Sequence, residues 1–345
     1  MFEHFPTAIN LLIFTGLAGI IWKAGTRLSY YVDSIAEQTE LARAFLGLIL
    51  LATATELPEM VTTLTASSSG NGVLALNNMF GGMMLQLAVL AIADFFVLNG
   101  TLTSFPRKPT VAIAGLLSIL SLSLLLAFYV TRDMVLLVNV GVGSTIIALL
   151  YIVSMYLIRM GQNRDTWSPV DLPDRGKGGR ERHNHYDNTP VRKLTVLSAR
   201  SGLLILISGV LVVRVAETLA VQTGLGNSFI GVSLLAMATS MPELSTSVAA
   251  VRVKAHTMAI SNIFGSNLIM TFLVFPVDVF FTKGPVLNHM DRSAAFALAA
   301  GIFMTGIYCT GLLMRPRMKV FGIGIDSLLV LASYLGSMMI LFQLR

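Results

Sequence analysis

Ten long apolar runs set the limits on this chain. They cover residues 7–25, 41–66, 72–98, 109–129, 134–158, 195–219, 227–251, 257–281, 293–313 and 320–343. A bilayer core about 30 Å thick takes about 20 apolar residues per helix. Irregular backbone does not face lipid, so each run is expected to be a helix. Of all residues 54% are hydrophobic and only 12% charged, too few charges to cover a water-soluble protein of 345 residues. The leading residues carry Glu3 and no Lys or Arg, so the first run reads as a span and not as a signal peptide. The lone Cys309 excludes an intramolecular disulfide.

The only long polar stretch, 159–194, contains Pro169, Pro173, Gly176, Gly178 and Gly179 with mixed charge, and reads as a linker. It divides the chain into residues 1–158 and 195–345, with five runs on each side. An odd number of crossings makes the second half enter the membrane from the opposite side, so a repeat here is an inverted one. The repeat is visible: Pro58, Glu59, Asn78, Gly81 and Asp94 recur 184 positions later as Pro242, Glu243, Asn262, Gly265 and Asp278. The expected fold is an all-α membrane protein of ten transmembrane helices in two inverted five-helix repeats. With the N-terminus outside and 159–194 cytoplasmic, the inner segments 23–43, 99–108, 159–194, 252–256 and 314–319 hold 18 basic residues, against 4 on the outer side. The net charge of +6 therefore orients the chain in a cell membrane and gives no reason to invoke nucleic acid.

The second and seventh runs carry the chemistry. Residues 51–59 read Leu-Ala-Thr-Ala-Thr-Glu-Leu-Pro-Glu, and 235–243 read Leu-Ala-Met-Ala-Thr-Ser-Met-Pro-Glu. Proline lacks an N–H, so Pro58 leaves the carbonyl of Ala54 without its helical donor, and Pro242 does the same for Ala238. Thr55 and Thr239 add hydroxyls, and Glu59 and Glu243 add charge. Oxygen-rich sets of this kind suit hard cations, and no sulfur or imidazole in the set favours a soft metal. An ionisable residue at this depth costs at least a few kcal/mol, which argues for function. The structural reading pairs these glutamates with Arg214, but one arginine cannot serve both, and Glu217 lies nearer to it. Asn78 and Asn262, in the third and eighth runs, either ligate an ion, orient the glutamates, or join helices. Asp94 and Asp278 sit near helix ends, where capping is at least as natural as transport. His183 and His185 in the linker are weak metal candidates.

The pattern Thr-x-x-Pro-Glu followed by Asn-x-x-Gly, found twice in ten spans, resembles the repeats of the calcium/cation antiporter superfamily, most closely the prokaryotic sodium/calcium exchangers. The resemblance implies a central ion site of Thr55, Glu59, Thr239, Ser240 and Glu243, with Ser266 added, and with calcium chelated by Glu59 and Glu243. Glu56 replaces the serine usual after the first threonine. Gly81-Gly82-Met83 replaces Gly-Ser-Asn. The carboxamide or carboxylate expected one turn further on is Gln86 in the first half and Met270 in the second. These departures remove oxygens that sodium sites of the family use. Glu56 shares a helix face with Glu59, and two carboxylates so close disfavour joint ionisation, so a proton is a candidate counter-ion. The implied activity is calcium exchange against sodium or protons by alternating access, with no resident cofactor. Long first and sixth spans would slide over the core, eased by Gly16, Gly19 and Gly209. Alternatives are a sodium/proton or other monovalent cation/proton antiporter and, less favoured, a cation channel. An enzyme is disfavoured: a membrane serine protease needs a buried histidine, and all five histidines are read outside the spans.

Overall fold

The computed structural model describes residues 2–39, 43–98, 100–162, 186, 189–223 and 240–343. Nine helices among the described residues are long and apolar enough to cross a membrane. In the first half α1 is Thr7–Thr39 and α2 comprises Arg43–Leu46, a π turn Gly47–Leu51 and Ala52–Ser68. They are followed by α3 Gly72–Asp94, α4 Thr110–Thr131 and α5 Val142–Gln162. In the second half come α6 Val191–Gln222, α7 Met241–Arg252, α8 His256–Phe280, α9 Arg292–Met314 and α10 Ile325–Gln343. The earlier part of the seventh run, including Ala238 and Thr239, lies outside the described residues, as do His183 and His185.

Three expectations need correction. The first helix is longer than the apolar run 7–25: α1 continues to Thr39, 33 residues in all. At 1.5 Å per residue it is about 50 Å long and projects beyond the lipid core. The fifth and tenth runs do not begin as helix. Each starts with a short antiparallel hairpin, β1 Val135–Leu137 with β2 Val140–Gly141, and β3 Lys319–Val320 with β4 Ile323–Gly324. The turns place Val138 and Phe321 at φ 53° and 54°, which a helix does not allow. His256 begins α8 rather than lying in a loop, and its ring stacks on Phe105 at 4.0 Å.

The backbone itself records the duplication. Positive φ occurs at Gly70 and Lys254, and at Gly100 and Gly284, each pair 184 residues apart. It occurs again at Arg132 and Arg315, and at Val138 and Phe321, each pair 183 apart. Such angles are uncommon outside glycine, so chance does not produce matched pairs. One residue is lost from the second half between Gly284 and Arg315, which is why an ungapped sequence match does not extend through the last two spans.

The layers follow from burial. In α8, 72% of the most apolar window is buried, against 17% in α10. Helices α2, α3, α7 and α8 form the centre. Helices α4, α5, α9 and α10 flank it and turn apolar side chains such as Leu149, Phe303 and Met339 outward, where lipid accepts them. Two glycines bring the central helices together. A Cβ on Gly47 would lie 2.7 Å from the carbonyl oxygen of Met258, and one on Gly265 would strike the carbonyl of Leu48. The π turn of α2 is therefore packed backbone to backbone on α8.

Helices α1 and α6 pair with each other on one side of the centre. Phe14, Ile21, Val212, Val215, Ala216 and Leu219 form their contact. Asn10 Nδ2 donates to Gln222 Oε1 at 2.9 Å, and Gln222 Nε2 donates to the Phe5 carbonyl at 2.8 Å. Gly209 of α6 meets α2, where a Cβ would lie 2.6 Å from the Pro58 ring. Gly25 of α1, its counterpart 184 residues earlier, meets Ser245 and Thr246 of α7. A Cβ on Gly16 or Gly19 would meet nothing within 4 Å, so no close helix approach requires glycine at either position.

Candidate functional site

In α2, residues 52, 55, 56, 59 and 63 fall on one stripe at helical spacing, and all are buried. The stripe puts Thr55, Glu56 and Glu59 toward the other central helices, with exposures of 0%, 0% and 1%. Pro58 lies inside α2, which continues through it to Ser68, so the irregular turn sits upstream at Gly47–Leu51 and not at the proline. Ala54 is half-buried beside Gly202 of α6. In α7 the corresponding proline has another place: Pro242 falls in the first turn, where a missing N–H breaks no intrahelical bond. Glu243 follows in the same turn and is fully buried.

The carboxylates face one another. Glu243 feels the charges of both Glu56 and Glu59, and the Thr55 hydroxyl lies beside it. Neither carboxylate oxygen of Glu243 meets the geometry of a hydrogen bond. Glu59 lies against α3, its Oε2 3.1 Å from where a Cβ of Gly82 would be. The Met270 methyl group is 3.7 Å from that same point. Glu56 accepts a hydrogen bond from Gln86 Nε2 at 2.6 Å, and the Ser266 hydroxyl is adjacent. Ser240 and Ser266 are buried with hydroxyls that make no hydrogen bond. Arg214 is exposed on α6, so the ion pair weighed for it is not formed with these buried glutamates.

The asparagines join helices. Asn78 donates to Thr63 Oγ1 at 3.0 Å and Asn262 to Thr246 Oγ1 at 3.2 Å. The Asn262 carbonyl oxygen stays without a partner. Asp94 and Asp278 are fully buried and bind backbone amides of the loops that follow, Asp94 taking Leu102 N at 2.5 Å and Asp278 taking Val286 N at 2.6 Å. Both are eight residues before their donor. They are anchors of the fold, as the capping alternative had it.

Sequence reasoning passes over Asn267 and Ser247. Asn267 is fully buried, and neither atom of its amide has a partner. A polar residue directly after Ser266 in an otherwise apolar span was the available signal. Among the described residues, no three His, Cys, Asp or Glu side chains are arranged as a ready metal cage. What the centre offers is carboxylates, hydroxyls and amides on four helices, brought into a volume closed off from water. Buried carboxylates gathered there need a cationic or protic partner.

Two inverted halves around a polar, acidic centre in a multi-pass membrane protein make this a transporter and not an enzyme. The sequence matches the model of the sodium/calcium exchanger protein family over residues 9–160 and 193–343, and the chain belongs to that family. It is therefore a cation antiporter in class. It is 24% identical over 292 residues to the protein named "Putative antiporter CaxA" of Alkalimonas amylolytica, covering 83% of each chain. It is 24% identical over 279 residues to inner membrane protein YrbG of Escherichia coli K12, covering 80% of each. Its fold is that of the sodium-calcium exchanger NCX_Mj soaked with sodium, with a TM-score of 0.70, 18% identity, and coverage of 97% of this chain and 99% of that one.

Proposed function

We propose that the protein exchanges calcium for protons across the cell membrane, binding each in turn at Glu59 and Glu243. The observation that carries this reading is the facing of Glu56, Glu59 and Glu243 in a buried centre. Carboxylates in a low-dielectric interior repel unless neutralised. One divalent cation satisfies two of them, and so do two monovalent charges. Competition for the same negative charge is the physical basis of antiport. Thr55, Ser240 and Ser266 supply neutral oxygens, with the Ala54 and Ala238 carbonyls and Thr239 completing the set. Asn78 and Asn262 hold the walls, so their role is positional.

The proton is favoured over sodium by Glu56. It is a third acid in the site, and Gln86 already donates to one of its oxygens. The Gln86 nitrogen is committed to that carboxyl group, while its Oε1 has no hydrogen-bond partner. The second reading keeps sodium as counter-ion, and it is favoured by family membership. The proposed orientation puts the N-terminus outside and 159–194 in the cytoplasm.

Reconstituted vesicles decide among these. Labelled calcium uptake is measured with a sodium gradient and a pH gradient imposed separately. The expected result is uptake driven by the pH gradient, saturating with calcium, and absent in Glu59→Gln and Glu243→Gln. Flux retained by either variant would overturn the site. A sodium requirement with no response to pH would overturn the proton. Non-saturating current without a counter-ion would make the protein a channel.

A further inference from the structure

We infer that a second cation site, separate from the central glutamates, lies at the end of the molecule where α3 and α5 terminate, built from Asp326, Asp94, Tyr308, Thr103 and Ser327. The argument comes from comparing the two ends of the inverted fold. At each end a buried aspartate accepts the amide of the last residue of a hairpin. Asp278 Oδ2 takes Gly141 N at 2.7 Å, and Asp94 Oδ2 takes Gly324 N at 2.6 Å. Gly141 and Gly324 are counterparts, 183 residues apart. At each end a second carboxylate crowds the same glycine: Asp133 at Gly141 and Asp326 at Gly324. These second acids are not counterparts. Asp133 precedes its hairpin, and Asp326 follows in the first turn of α10.

The two pairs differ in how the protein satisfies them. At the first, Ser144 Oγ donates to Asp278 Oδ2 at 2.5 Å and Gly143 N donates to Asp133 Oδ1 at 2.8 Å. Only Asp133 Oδ2 is left over. At the second, Ser327, the counterpart of Ser144, makes no hydrogen bond through its hydroxyl. Neither carboxylate oxygen of Asp326 reaches hydrogen-bond geometry, although the Thr103 hydroxyl and the Ser327 amide lie alongside. The Tyr308 hydroxyl is fully buried, interacts electrostatically with both Asp326 and Asp94, and has no hydrogen-bond partner. Exposures are 5% for Asp326, 1% for Ser327 and 0% for Tyr308.

A helix-start aspartate alone would be an ordinary electrostatic choice. It does not account for a buried Tyr308 hydroxyl beside both acids, nor for the buried Ser327 hydroxyl next in sequence, neither of which has a hydrogen-bond partner. Buried polar groups are normally satisfied, and each exception calls for a partner. Two acids and three hydroxyls give an all-oxygen set with a formal charge of −2, matched to one hard divalent cation of the calcium class. The site draws on the end of α3, the segment after it, α9 and α10. Its occupancy would fasten the hairpin β3–β4 to the central layer.

The test uses the full chain carrying Glu59→Gln and Glu243→Gln, so that the transport site does not contribute and its own status does not affect the outcome. Terbium(III) is titrated as the probe, with calcium as competitor, exciting tyrosine. The expected result is emission saturating at one equivalent and displaced by calcium. Adding Asp326→Asn should weaken terbium binding by roughly tenfold or more. Adding Tyr308→Phe, which keeps the packing, should remove most of the sensitised emission. Calcium should also raise the melting temperature of the parent and not of the Asp326→Asn form. Emission unchanged by Tyr308→Phe, or terbium bound as tightly by Asp326→Asn, would overturn the site. The second outcome would assign the acid pair a shared proton instead. Should Asp326→Asn not fold, the Tyr308→Phe result alone decides.

Discussion

The two halves of the centre share a backbone plan and divide the chemistry unequally. Position by position, Glu56 of α2 corresponds to Ser240 of the second half, and Gln86 of α3 corresponds to Met270 of α8. In the other direction, Gly82 and Met83 of α3 correspond to Ser266 and Asn267 of α8. The first half thus holds an acid joined to an amide, and the second holds a hydroxyl and an amide left without partners. Ala54/Ala238, Thr55/Thr239, Pro58/Pro242, Glu59/Glu243 and Asn78/Asn262 are the same in both. A duplicated fold fixes where side chains point, while the side chains themselves are free to diverge. The unequal part, Glu56 with Gln86, is where the identity of the counter-ion is expected to reside.

Breaking the shared part should have the largest effect. Glu59→Gln and Glu243→Gln should each bring calcium exchange in vesicles to the background of protein-free membranes, with protein still inserted. Breaking the unequal part should do less. Glu56→Gln keeps shape and hydrogen bonding but cannot carry a proton, so the response to an imposed pH gradient should vanish while calcium binding in a filter assay persists. Loss of calcium binding in Glu56→Gln would mean that all three acids hold the ion and that the halves are less distinct than drawn.

The contacts of the paired helices sharpen the comparison further. Gly209→Ala puts a methyl group 2.6 Å from the Pro58 ring and should lower stability by about 1–3 kcal/mol in denaturant titration, with slowed exchange. Gly16→Ala meets nothing within 4 Å and should change stability by less than about 1 kcal/mol, in the stabilising direction. The smallest effect is at Asp133, outside the spans. Burial holds its carboxyl above the usual carboxylate range, with the Asp278 charge adding and the Gly143 amide opposing. The folded state then binds the proton more firmly than the unfolded one. Stability should fall as pH rises from about 4 through that raised value and remain lower above it. Asp133→Asn should therefore raise the melting temperature at neutral pH and give no gain at or below pH 4.

Much of this was legible in the chain. Spans were readable because lipid demands length and apolarity, and the repeat was readable because proline, glutamate, asparagine and glycine do not match by composition alone. The expectation of paired acids followed from these, and Glu59 and Glu243 are both buried. Three things were hidden for physical reasons. The hairpins are as apolar as the helices they precede, so only the positive φ of Val138 and Phe321 distinguishes them. The extension of α1 to Thr39 depends on packing beyond the lipid, where polar residues are tolerated in a helix. The roles of Asp94 and Asp278 depend on partners eight residues away in sequence and on a hairpin more than a hundred residues away, which no local pattern reports.

The tie between Asn10, Phe5 and Gln222 has a consequence for leakage. Helices α1 and α6 are buttoned together at one end and share an apolar seam, so on the proposed reading they travel as a single slat. A slat that uncovers the centre from one face must, by the same displacement, cover it from the other. Two independent shutters would open together now and then and short-circuit the gradient; one board leaves no such arrangement to populate.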